Sequence, residues 1–99
     1  MISMEDKINE FRTLVGGYYG VCSMDEYPLK EYILQDIRRE IQSLIETNPL
    51  DGFDFSKEEE AVKEKVTERV KLQDALLVLN QINGPMDLVF RIKKRLKKK

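Results

Sequence analysis

No histidine occurs in this chain. Its absence removes the commonest general base and the commonest metal ligand together. A single cysteine, Cys22, leaves no partner for an intramolecular disulfide and excludes a cysteine metal cluster. With no imidazole to activate it, Cys22 is expected to be a buried structural thiol and not a nucleophile. No apolar run approaches the roughly 18 residues of a membrane span. Residues 1–7 lack the apolar stretch of a signal peptide, so a cytoplasmic location is expected. Proline and glycine are scarce, with three and five copies. Taken together, the absences favour a non-enzymatic protein with no catalytic residue, no metal and no cofactor.

What is present favours helix. Lysine, glutamate, leucine and isoleucine are abundant, all of them tolerated or preferred in helices. Apolar residues make up 41% of the 99 positions and charged residues 35%, too apolar for a disordered tail. The length suits one domain, residues 1–99. A chain this short buries roughly 60–68% of its unfolded surface, so a dimer would help it. The net charge of −1 hides a split. Seven of the seventeen bases lie in a basic tail, residues 91–99, leaving ten bases against eighteen acids before it.

Apolar spacing divides the chain. Met4, Ile8, Phe11 and Val15 recur at helical intervals after a Ser3 cap with Glu5 and Asp6 in the first turn. Gly16 and Gly17 normally end such a helix, although Tyr18 and Cys22 continue the stripe; the expected span is 4–15, with 22 as the outer limit. Leu29, Ile33, Ile37, Ile41, Leu44 and Ile45 mark a second helix over 28–47, opened by Pro28 and stopped by Asn48-Pro49. A loop over 48–55 carries Leu50, Phe53 and Phe55 as anchors onto the core. Ser56 with Glu59 reads as a capping box opening a third helix over 57–82. Asn83-Gly84-Pro85 breaks it, and a fourth helix runs over 86–96. The fold class is therefore all-α, a small bundle of three to four helices with a C-terminal basic amphipathic helix. The expected core is Ile8, Phe11, Val15, Ile33, Ile37, Ile41, Leu44, Val66, Val70, Leu77, Leu79, Val89 and Ile92.

Four features invite a functional reading. Arg91, Lys94, Arg95 and Lys98 fall at i, i+3, i+4 and i+7 opposite Leu88, Val89, Ile92 and Leu96, a ladder suited to phosphates, anionic lipid or an acidic partner. The plain alternative is a solvated tail complementing a helix C-terminus. The run Ala75 to Leu79 is apolar in every direction, which requires burial on all sides. Ala75, Leu76 and Val78 are therefore expected to form a homodimer interface. Gly16, Gly17 and Gly20 share one side of a helical wheel and would make a close helix contact if the first helix continues; a flexible loop is the favoured reading. They form neither a phosphate loop nor a dinucleotide fingerprint. Glu58, Glu59, Glu60, Glu64 and Glu68 read as a solvated face, with Glu59–Lys63 and Glu68–Lys71 as surface pairs.

A helix-turn-helix over 72–96 is disfavoured, because Asp87 occupies the first turn of the would-be recognition helix. The leading functional expectation is a protein-interaction module, a regulator or adaptor, partnered by itself and by another protein. The alternative is a nucleic-acid-associated protein using the basic end; membrane attachment is disfavoured.

Overall fold

The computed structural model describes residues 4–25, 27–47 and 52–98. Among these the chain is all-helical, in the order α1 (Met4–Cys22), α2 (Lys30–Thr47), α3 (Phe55–Lys65), α4 (Glu68–Gln81) and α5 (Met86–Lys97). Ser3, Asn48, Pro49 and Leu50, named above as caps, stops and anchors, lie outside the described residues.

Among the described residues there are five helices, where the sequence spacing predicts three to four, because the expected 57–82 segment is two helices. The break falls at Val66, whose backbone is extended at φ −79 and ψ 134. Thr67 then starts α4, its Oγ1 accepting the Val70 N–H at 3.3 Å. A hydroxyl cap of this kind satisfies an orphan donor, contributing about 1 kcal/mol to the new helix. Asp54, not Ser56, caps α3, accepting the Lys57 N–H at 3.1 Å. Glu59 is thereby left free for a longer-range partner.

α1 runs unbroken through Gly16 and Gly17 to Cys22, so the loop expected there is a helix. Three interior glycines cost a helix roughly 1 kcal/mol each. The offset is contact with α4, the most extensive helix pair in the fold. Gly16 and Gly17 lie against Asp74 and Val78, while Gly20 lies against Lys71 and Ala75. Rising numbers on α1 thus meet falling numbers on α4, and the two helices are antiparallel. Lys30 Nζ closes the end of α1, donating to the carbonyls of Cys22 at 3.1 Å and Met24 at 2.8 Å. Cys22 itself is exposed, not buried as expected. The buried side of α1 is held by Val21 and Gly20, and Cys22 follows on the outer side.

Phe11, Val15, Ile33, Ile37, Ile41, Leu44, Leu79 and Ile92 are buried core residues. Ile8, Val66 and Val89 are half-buried. Val70 and Leu77 correct the expected core, being 42% and 61% exposed. The inward side of α4 is Leu72, Ala75, Val78 and Leu79, which turns positions 70 and 77 to solvent. Phe55 packs edge-on against Phe11 at 5.0 Å, and Phe53 against Phe55 at 4.9 Å.

The α4–α5 turn is a Schellman close. Asn83 takes the left-handed conformation at φ 56, and the Gly84 N–H donates to the Leu79 carbonyl at 2.7 Å. Glycine suits position 84, because a Cβ there would sit 2.6 Å from Leu79 Cδ2 and displace that methyl. Pro85, at φ −65, then leads into α5.

Candidate anion-binding site

α5 docks through Leu88 and Ile92, both buried, with Val89 and Leu96 packed beside them. That leaves its cations to the outside. Arg91, Lys94, Arg95 and Lys98 come together along one open groove of about 500 Å³, completed by Met24, Asp25 and Leu88. The four predicted residues do not, however, share one role.

The two arginines are fasteners. Arg95 donates to the Ser23 carbonyl at 3.0 Å and pairs with Glu68 at 2.8 Å, tying α5 to the end of α1 and the start of α4. Arg91 pairs with Asp87 at 3.5 Å, and its guanidinium lies 5.2 Å from the centre of the Tyr27 ring. Asp25 adds a third carboxylate to this side. Two of the groove's four cations are therefore already engaged within the fold.

The lysines are different. Lys93, Lys94, Lys97 and Lys98 are exposed, and among the described residues none forms an ion pair. No acidic residue follows Asp87 in the sequence. Two large apolar side chains share this outer side, Met86 and Phe90, each 59% exposed. The charge ladder read from the sequence missed Lys93, Lys97 and Phe90 as members of the site. Their signal is distance from the stripe of Leu88 and Ile92: on a wheel of about 100° per residue, Phe90 lies some 160–200° away from both.

The other expected sites are placed as follows. Ala75 and Val78 are fully buried against α1 and Leu76 is partly buried on the core, so this side of α4 is covered within one chain and not free for a second copy. The exposed side carries Leu77 and Val70 instead. Gly16, Gly17 and Gly20 form the close contact between α1 and α4. Asp87, with its side chain 66% exposed, stands in the first turn of α5.

The acidic side of α3 is not merely solvated. Glu59 binds Arg38 through both oxygens, at 2.9 and 3.4 Å, and accepts the Tyr19 hydroxyl at 3.0 Å. Arg38 also lies 4.4 Å from the centre of the Tyr18 ring. The hydrogen bond from Arg38 holds the Glu59 carboxyl below its usual value. Burial, followed by Glu59, pushes the Tyr19 phenol up. The cluster thus stays a charged pair plus a neutral phenol at neutral pH, joining α1, α2 and α3. Glu58 pairs with Arg12 of α1. Glu59 and Glu68 therefore find distant arginines rather than Lys63 and Lys71.

No helix is long and apolar enough to cross a membrane among the described residues. No protein family, curated protein or solved structure matches the chain.

Proposed function

We propose that this chain is a non-catalytic helical binding module that holds a nucleic acid by its phosphates on the outer face of α5. The observation that carries this reading is the set of four exposed lysines at 93, 94, 97 and 98, none of them in an ion pair among the described residues. Cations without internal partners gain most from a polyanion, because each phosphate neutralised releases a condensed counterion. The exposed Asp87 argues against base reading in a major groove, so the binding is of the sequence-tolerant kind.

The test is fluorescence anisotropy of a labelled oligonucleotide over a range of salt. Four phosphate contacts give a slope of log affinity against log salt of roughly −3 to −4. Replacing Lys93, Lys94, Lys97 and Lys98 together by glutamine abolishes binding while leaving the helical circular dichroism intact. A wild-type chain that binds no oligonucleotide at low salt refutes the proposal.

A second reading is a self-associating protein-interaction module, a regulator or adaptor. It is favoured by Leu77 and Val70, which lie seven residues apart on one exposed side of α4. Sedimentation equilibrium decides it: a dimer that Leu77→Lys converts to monomer supports it, and a monomeric wild-type chain removes it.

A further inference from the structure

We infer that the nucleic acid held on α5 is single-stranded and that Phe90 stacks on one of its bases. This rests on the reading of α5 as a polyanion site and goes further by naming the strand form and the residue that selects it.

Phe90 is 59% exposed on a helix whose other face is well buried. It is not a core residue that failed to find room, because Leu88 and Ile92 already fill the inward side. Lys93, Lys94, Lys97 and Lys98 follow it at i+3, i+4, i+7 and i+8. At about 100° per residue, all four fall within roughly 80° of Phe90 around the helix. Phe90 therefore sits at the middle of the arc of free cations, and Met86, also exposed, continues the apolar spot one turn earlier.

An occupant of this face must offer a flat apolar surface and negative charge within about one helical turn. A nucleotide offers both in one unit, the base to the ring and the phosphate to the lysines. In a duplex the base faces are stacked away inside, and a protein surface meets phosphates, sugars and groove edges but no open face for a ring. A single strand exposes the faces, and base–aromatic stacking tolerates any sequence. An acidic protein carries its rings and its charges on separate side chains at no fixed spacing, whereas every nucleotide repeats both together, so the paired arrangement favours the strand.

The experiment titrates the full-length chain against a labelled single-stranded oligonucleotide and the duplex of the same sequence at one salt concentration. Three variants accompany it: Phe90→Leu, Phe90→Trp and the four-lysine replacement by glutamine. The single strand is expected to bind more tightly than the duplex. Phe90→Leu weakens single-strand binding on the order of tenfold and leaves duplex binding unchanged. Phe90→Trp keeps the affinity, and its indole, the sole tryptophan in a chain that has none, is quenched when the strand binds.

Two results overturn the inference while the phosphate reading survives. In the first, binding depends on the lysines but is indifferent to Phe90→Leu. In the second, Phe90→Trp reports a change on self-association instead of on strand addition. Absence of binding to either strand form overturns both.

Discussion

Gly20 of α1 rests directly on the backbone of α4, where a methyl group in place of its hydrogen would run into the carbonyl of Lys71. Backbone cannot swing aside as a side chain does. Gly20→Ala therefore forces the two helices apart and loosens Ala75, whose own methyl would lie 3.1 Å from the new carbon. The gain in helix propensity, about 1 kcal/mol, is outweighed by overpacking that costs about 1–3 kcal/mol or more. Gly16→Ala meets only the side chain of Asp74, which can turn where backbone cannot. Chemical denaturation should place Gly16→Ala at or near wild-type stability and Gly20→Ala clearly below both. Equal losses at the two positions would show that the close backbone approach is not what the glycines serve.

Asp74 carries the pH dependence of the same contact. Burial pushes its carboxyl up from 3.8 to about 6. Between those values the folded chain still holds a proton that the unfolded chain has released. Unfolding then loses protons, so this group's contribution to stability falls as pH rises from about 4 to about 6 and is flat above. Glu59 acts in the opposite sense: its lowered pKa gives stability that is lost as pH falls. Asp74→Asn removes only the first effect. The variant's stability advantage over wild type should grow across pH 4–6 and stay constant from pH 7 upward. An advantage that does not change with pH sinks the assignment.

The cluster of Arg38, Glu59 and Tyr19 is partly exposed, with side-chain exposures of 40% for Arg38 and 27% for Glu59, so screening limits what it contributes. A double-mutant cycle on Arg38→Ala and Glu59→Ala should give a coupling of about 1 kcal/mol, reflecting a bidentate pair inside a small network. Tyr19→Phe should cost less, about 0.5 kcal/mol, because it removes one neutral donor. A coupling near zero would mean that this cluster adds nothing to the packing that joins the three helices.

Much of this fold is legible in the sequence where periodicity alone decides. Ile33, Ile37 and Ile41 stand four residues apart and point one way whatever lies opposite. The break at Val66-Thr67 is not legible in that manner, because two β-branched residues with no glycine or proline read equally well as helix interior or as a cap. The glycines of α1 are ambiguous for a related reason. Their intrinsic cost argues for a loop, and only the position of Lys71, Asp74 and Val78 across the interface reverses that cost. The apolar run at 75–79 misled in its reach, since Gly17 and Gly20 let α1 cover Val78 and Ala75, while Leu77 stays 61% exposed. At α5 the amphipathic pattern is plain, but which cations are spent is not. Arg95 finds Ser23 72 positions earlier in the chain, a pairing that no local spacing encodes.

That division between spent and free cations predicts opposite phenotypes for two neighbours on α5. Arg95→Ala removes the hydrogen bond to the Ser23 carbonyl and the pair with Glu68, so it should lower stability by about 1 kcal/mol and speed amide exchange in α5. Lys94→Ala removes a side chain with no ion pair or hydrogen bond among the described residues, so its stability should stay within about 0.5 kcal/mol of wild type. On nucleic acid the order reverses. Lys94→Ala should lessen the steepness of the salt dependence by about one ion, the signature of a lost phosphate contact. Arg95→Ala, measured well below its unfolding transition, should leave that steepness nearly unchanged. Equal loss of stability in both variants, or a salt dependence untouched by Lys94→Ala, would show that the free lysines are not the binding surface.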